Sequence, residues 1–115
     1  MRDDLDSAGS NSRSGVPKLV LIVESDSAAR IYAAQITASL GFRVILAAGI
    51  DDALSLIEKQ PGRLDAMLAN LVAGDADRLE AEALVLDPLL RIIRSEGEYS
   101  RASISTLLGP ARKKG

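Results

Sequence analysis

Short apolar runs alternate along this chain with longer stretches in which apolar residues recur at helical spacing. The runs Lys18–Val23, Phe42–Ala47 and Leu64–Ala69 are largely apolar on both faces, which is typical of strands buried on both sides of a parallel sheet. Between them, Ala28–Leu40 and a segment beginning at Asp51-Asp52 place their apolar residues on one helical face. This order predicts strand–helix units with right-handed crossovers, and therefore a doubly wound parallel α/β fold.

The pattern becomes less regular after Asn70. Gly74–Asp77 has the composition of a loop and helix cap. One helical face, interrupted by Pro88, holds Leu79, Ala83, Leu86, Leu90 and Ile93. This pattern predicts either two short helices meeting at Asp87-Pro88 or one kinked helix. We expect a loop at Ser95–Glu98 and a fourth strand at Ala102–Leu107.

Length and composition narrow the possibilities. A chain of 115 residues is enough for one domain, which we place at 17–109, after a flexible arm at 1–16 and before a basic tail at 110–115. Cysteine and histidine are absent, which excludes disulfides, thiolate or imidazole metal sites and Ser-His catalysis. The net charge of -2 gives no reason to expect nucleic acid, and no apolar run is long enough to span a membrane. We therefore expect a cytoplasmic protein.

Four ordered segments carry a family resemblance. They are Leu19–Arg30, Leu40–Ala48, Asp52–Glu58 and Leu64–Leu71, and in this order and spacing they resemble the receiver domain of bacterial response regulators. The resemblance extends from Lys18 to about Leu108. It implies a flavodoxin-like sheet with strand order 2-1-3-4-5, of which this chain would hold the first four strands, in the order 2-1-3-4.

The resemblance also assigns site positions. Receiver domains carry two acidic residues after the first strand that bind Mg²⁺, and an aspartate at the end of the third strand that accepts a phosphoryl group from a histidine kinase. A serine or threonine ends their fourth strand. The acidic positions match Glu24 and Ser25, the phosphoacceptor position matches Asn70, and the hydroxyl position falls at Ser105 or Thr106.

These departures change the expected chemistry. An aspartate carboxylate can attack phosphorus and form an acyl phosphate, whereas the neutral amide of Asn70 cannot. Mg²⁺ prefers carboxylate oxygens, and Glu24 is the only carboxylate at the three matching positions. Asp26 could turn inward, but we expect it to cap the first helix or face water. The sequence thus predicts a degenerate acidic pocket at Glu24, Ser25 and Asp26, with no catalysis and no cofactor; residual Mg²⁺ binding stays open.

Two further departures concern length. The stretch from Asn70 to Arg94 is about two helical turns longer than in the family, with the extra residues around 79–86, so the third helix is longer or a helix is added. A missing fifth strand and last helix would leave the fourth strand as an edge and part of the first helix uncovered. We expect a homodimer or docking onto a larger signalling protein. The alternative is a monomer in which the third-helix segment folds back over the gap.

The main functional hypothesis is a non-phosphorylatable pseudo-receiver that acts in signal transduction through protein–protein contact, using the surface Leu84–Leu108. An alternative of another class is a domain that binds a small molecule or anion in the former acidic pocket at Glu24, Asp26 and Asn70. A third hypothesis is residual phosphoacceptance at Asp75 or Asp65, although Asp65 begins its strand and so lies at the wrong end of the sheet.

Overall fold

Four parallel strands and four helices alternate along the chain. The computed structural model describes residues 18–60, 62–95 and 99–109. Its elements are β1 (Leu19–Glu24), α1 (Ser27–Ser39), β2 (Arg43–Ala47), α2 (Ile50–Lys59), β3 (Ala66–Asn70), α3 (Ala73–Leu86), β4 (Arg91–Arg94) and α4 (Arg101–Leu108). The predicted flexible arm at 1–16 and basic tail at 110–115 lie outside the described residues.

The sheet order is β2-β1-β3-β4, and each neighbouring pair is parallel. This confirms the predicted doubly wound, flavodoxin-like fold with strand order 2-1-3-4. The alternation of side chains along a strand sends Leu21 and Met67 to the face covered by α2 and α3. It sends Ile22 and Leu68 to the face covered by α1 and α4. Both faces of the sheet are therefore buried, which explains why β1 and β3 are apolar at every position except the last, Glu24 and Asn70.

Local sequence signals set the ends of the first two helices. The side chain of Asp26 accepts a hydrogen bond from the Ala29 amide at 2.8 Å and so caps α1, as the sequence predicted. Gly41 has a φ of 101°, a conformation that glycine adopts without strain, and it turns the chain from α1 into β2. Asp51 and Asp52 lie in the first turn of α2, where negative charge complements the helix dipole.

The prediction for the segment after Asn70 was wrong in its details. Residues 73–86 form one continuous helix, so Gly74–Asp77 is its first turn and not a loop. The extra residues around 79–86 are the second half of this same helix. The helix ends at Leu86, and Pro88 lies in the turn that leads to β4. Pro88 therefore terminates the helical pattern instead of kinking it, because proline cannot donate the backbone hydrogen bond that would continue the helix.

The predicted fourth strand was also wrong. β4 is Arg91–Arg94, a segment that the sequence analysis had assigned to the end of a helical stripe, and residues 102–107 belong to α4. Ser100 and Ser103 form a capping box that starts this helix. Ile104 and Leu108, one helical turn apart, are both buried. Ser105 and Thr106 are consequently exposed helical residues, not residues at the end of a strand.

Helix α4 covers the face of α1 that we expected to be uncovered. The side chain of Arg101 donates to the Ser39 hydroxyl of α1 at 2.6 Å. At the other end, the guanidinium of Arg91 donates to the carbonyls of Leu107 and Leu108 at 2.8 and 3.1 Å, which would otherwise be unpaired at a helix terminus. It is α4, and not a folded-back third helix, that closes this side of the core.

No helix within the described part of the chain is long and apolar enough to cross a membrane.

The packing of α4 can be tested by truncating Ile104, which is fully buried. Replacing a buried isoleucine with alanine removes apolar contacts and leaves a cavity, so Ile104→Ala should lower the free energy of unfolding by about 2–5 kcal/mol. The exposed neighbour Ser105 is the control, and Ser105→Ala should change it by less than about 0.5 kcal/mol. Equal effects in urea unfolding would contradict a helix packed through Ile104.

Candidate functional site

Polar side chains gather at the carboxyl end of the sheet. Glu24 is the last residue of β1 and Asn70 is the last residue of β3, and the two are register partners across these neighbouring strands. Ser95 directly follows β4, and its amide donates to the Ala69 carbonyl at 2.8 Å. In doubly wound folds this end of the sheet is where ligands bind. The structure therefore brings the predicted positions Glu24 and Asn70 together at the expected end.

Glu24 is the centre of this cluster. Its Oε1 accepts hydrogen bonds from Asn70 Nδ2 at 2.7 Å and from the Tyr99 hydroxyl at 3.0 Å. Its Oε2 accepts from the Asp26 amide at 3.0 Å. Only 5% of Glu24 is exposed, so these three donors replace the water that a carboxylate would otherwise bind. Both carboxylate oxygens are thus engaged within the protein.

Tyr99 completes the cluster from the far end of the chain. Its burial, together with the neighbouring charge of Glu24, raises the pKa of the Tyr99 hydroxyl well above its ordinary value, and a hydrogen bond from Asn70 only partly opposes that shift. The phenol is therefore protonated at neutral pH and donates its proton towards Glu24. This contact joins residues 75 positions apart in sequence, and no local pattern in the sequence indicates it.

The remaining predicted site residues have separate roles. Asp26 caps α1 with its side chain, as expected, and is exposed. Ser25 is exposed at the mouth of the site. The guanidinium of Arg30 donates to the backbone carbonyl of Glu24 at 2.8 Å and lies 3.4 Å from the backbone carbonyl of Ser25. These contacts fix the backbone of the β1–α1 loop. Asp65 lies at the opposite end of the sheet and accepts from the Leu19 amide at 2.7 Å.

An open cleft of about 730 Å³ lies beside the cluster, between the starts of α2 and α3. Its polar lining includes Ser25, Asn70, Asp75, Arg78 and Ser95. Ser95 is only 7% exposed, and it stands where the resemblance places a hydroxyl, at the end of the fourth strand. The predicted hydroxyl residues Ser105 and Thr106 lie in α4, away from this lining. The sequence analysis missed Ser95 because it misplaced the strand that positions it; the signal was the short run Arg91–Arg94 followed directly by serine.

The donor set does not fit Mg²⁺, the metal that the fold family implies. A hard divalent cation needs several anionic or carbonyl oxygens at short range, and both oxygens of the one matching carboxylate, Glu24, already accept protein hydrogen bonds. The amide of Asn70 turns its NH₂ group towards Glu24. Within residues 18–60, 62–95 and 99–109, no three acidic side chains are grouped closely enough to hold a metal ion.

The state of Tyr99 can be followed by spectroscopic titration, because the chain has two tyrosines and Tyr32 is exposed. Tyr32→Phe leaves Tyr99 as the single phenol of the chain, and its ultraviolet ionisation step should then lie above the ordinary range of a tyrosine. Tyr99→Phe should abolish this delayed step.

Because the pKa of Tyr99 is higher in the folded protein, its contribution to stability should be complete below about pH 10 and should decline as the pH rises further. Tyr99→Phe should lower the free energy of unfolding at neutral pH by about 1–3 kcal/mol and remove that part of the alkaline decline. Ionisation of Tyr99 within the ordinary range of a tyrosine would contradict the buried contact.

The fold is similar to that of several solved structures, although no model of a known protein family and no curated protein matches the sequence. The receiver domain of the hybrid histidine kinase CckA superposes with a TM-score of 0.70 at 20% identity, covering 78% of this chain and 94% of that one. A CheY-like response regulator receiver domain protein from Methanospirillum hungatei JF-1 gives a TM-score of 0.64 at 25% identity, covering 84% and 78%.

A response regulator from Thermotoga maritima is also similar, with a TM-score of 0.61 at 12% identity over 84% of this chain and 81% of that one. Identities this low relate the folds and assign no role to individual residues of this chain. The chain thus has the fold of response-regulator receiver domains, with four parallel strands in the order 2-1-3-4 and four flanking helices among the described residues.

Proposed function

We propose that this protein is a non-phosphorylatable pseudo-receiver that acts in signal transduction through protein–protein contact and catalyses no reaction. The observation that carries the proposal is the residue at the end of β3. The acyl phosphate of receiver domains needs a carboxylate at this position, and the side chain here is the amide of Asn70, which donates a hydrogen bond to Glu24. The proposal assigns Asn70 as the degenerate phosphoacceptor and Glu24, Ser25 and Asp26 as the degenerate acidic pocket.

The hydrogen bonds of Glu24 support a domain that stays in one state. In a switch driven by phosphate, the new charge must change which contacts are favourable. Here Asn70 and Tyr99 are both bonded to Glu24, so the loops after β1 and β3 and the segment before α4 are joined without any ligand. Output from such a domain depends on the concentration of its partner.

The proposed contact surface, Leu84–Leu108, is supported by its exposed apolar residues. Val85 is 81% exposed and Leu89 is 94% exposed, and Leu84 and Leu86 are partly exposed beside them. Exposed apolar side chains that cluster in this way usually mark a partner site. Within the surface they are concentrated at the end of α3 and in the turn after it, because Ile104 and Leu108 of α4 face the core. The partner is a second copy of the chain or a larger signalling protein.

Phosphodonor chemistry tests the proposal. Incubation with acetyl phosphate and Mg²⁺ should leave the mass of the intact protein unchanged, because the chain has no carboxylate at the acceptor position. Recovery of a labile phosphoryl adduct on the wild-type chain, including one at Asp75, would refute the proposal.

A matched control restores the missing carboxylates. Ser25→Asp combined with Asn70→Asp places two new carboxylates beside Glu24, where like charges repel. This double variant should melt at a lower temperature than the wild type without metal, and Mg²⁺ should recover much of the loss. The wild type should show no Mg²⁺-dependent shift, and an equal shift in both proteins would show that the native pocket still binds the metal.

The cleft beside Asn70 favours a second candidate function, the binding of a small polar ligand. Its volume lies within the range of small-molecule sites, and it offers the buried hydroxyl of Ser95 as well as the charges of Asp75 and Arg78. Of the pocket residues first considered for this role, Asn70 lines the cleft, whereas Glu24 is engaged internally and Asp26 caps α1.

A thermal-shift screen of phosphate, nucleotides and carboxylic acids would detect such a ligand. A real site should lose most of its shift in Ser95→Ala and should retain it in Thr106→Ala, which changes an exposed hydroxyl of α4. Absence of any shift would argue against the ligand-binding function.

A further inference from the structure

A groove separate from the cleft runs between α2 and α3. Its volume is about 410 Å³, and its lining is Asp51, Leu54, Ser55, Glu58, Glu82, Val85 and Leu86. The aliphatic part of the lining comes from Leu54 on α2 and from Val85 and Leu86 on α3. Val85 is among the most exposed aliphatic side chains of the described residues. The groove therefore presents apolar surface that the fold itself does not cover.

The charged side chains that line the groove are acidic. The lining contains three carboxylates, from Asp51, Glu58 and Glu82, and no basic side chain. Arg78 pairs with Glu82 at 2.9 Å and with Asp51 at 3.6 Å, at the end of the groove near the cleft. Glu58 lies about two helical turns along α2 from Asp51, and it has no ion pair among the described residues. Three carboxylates and one guanidinium thus leave the groove with two net negative charges, one shared by Asp51 and Glu82 and one on Glu58.

We propose that this groove is a docking site for a basic amphipathic helix of a partner protein. Aliphatic side chains between two helices can accept the apolar stripe of a third helix, in which leucine-like side chains recur at i, i+3, i+4 and i+7. The acidic side chains of the groove attract lysine or arginine on the flanks of that stripe and repel an acidic helix of the same shape. Charge complementarity therefore selects the class of partner, and the aliphatic lining provides the contact area.

This inference rests on the proposed function, because Val85 and Leu86 belong both to the groove and to the proposed contact surface. The groove uses none of Glu24, Asn70 or Tyr99. Helix binding is measured without a phosphodonor, and phosphorylation is measured without a peptide. A failure of one hypothesis is therefore distinguishable from a failure of the other.

The test uses a synthetic fluorescent peptide with leucines at the helical spacing and lysine or arginine elsewhere, titrated with the full chain and followed by anisotropy. A second peptide keeps the leucines and replaces the basic residues with glutamate. The basic peptide should bind at least about tenfold more tightly than the acidic one at low salt, and raising the salt concentration should weaken its binding. Equal binding of the two peptides would overturn the proposal.

Two pairs of variants locate the site. Val85→Asn should weaken binding of the basic peptide at least about tenfold, because it removes apolar contact without adding charge. Ile31→Asn, at a residue 53% exposed on α1 across the sheet, should not. Glu58→Gln and Gln35→Lys each change the net charge by one positive unit. Only Glu58→Gln should weaken binding, by about two- to fivefold. If both members of either pair have the same effect, the attraction is non-specific and the groove is not the site.

Sedimentation of the chain alone addresses the other occupant. A monomer, or a dimer that Val85→Asp leaves intact, keeps the groove available for a helix from another protein and supports the proposal. A dimer that Val85→Asp dissociates would show that a second copy of this chain occupies the groove, and that result would overturn it.

Discussion

The organisation of this protein depends on satisfying one buried carboxylate. Glu24 lies at the end of the central strand β1, where burial makes a bare negative charge costly. Three donors meet it, from Asn70 on β3, from Tyr99 before α4 and from the backbone of the loop after β1. Each donor belongs to a different part of the chain. The need to satisfy one charge therefore fixes the relative positions of two strands, a loop and the approach to the last helix.

The same requirement explains why asparagine is compatible with position 70. A second carboxylate there would face Glu24 at hydrogen-bonding distance, and the pair would need a cation or a shared proton. The amide supplies a donor instead. The hydrogen bond from Asn70 therefore satisfies the Glu24 carboxylate with a protein donor at the place where a second carboxylate would need a cation.

Much of the fold could be predicted from the sequence because the central strands are covered on both faces. Their apolar runs, and the caps and glycines between them, indicate β1 to β3 and the first two helices without reference to distant residues. The assignment of secondary structure became incorrect at β4, where the sequence pattern is shortest. Four residues, Arg91–Arg94, carry too little pattern to distinguish a strand from the end of a helix. The β-branched residues Ile104 and Thr106 favour a strand by local propensity. The capping box and the packing of α4 make this segment a helix instead.

The site was predictable to the same degree. Glu24 and Asn70 follow apolar runs and could be placed at one end of the sheet by topology alone, whereas Ser95 depended on the misassigned strand. Tyr99 depended on the position of α4, and tertiary packing decides that position.

Arg91, at the start of β4, donates hydrogen bonds to the last carbonyls of α4. Helix α4 therefore ends at the edge of the sheet opposite Asn70, so a label attached at Gly109 would leave the mouth of the cleft unobstructed.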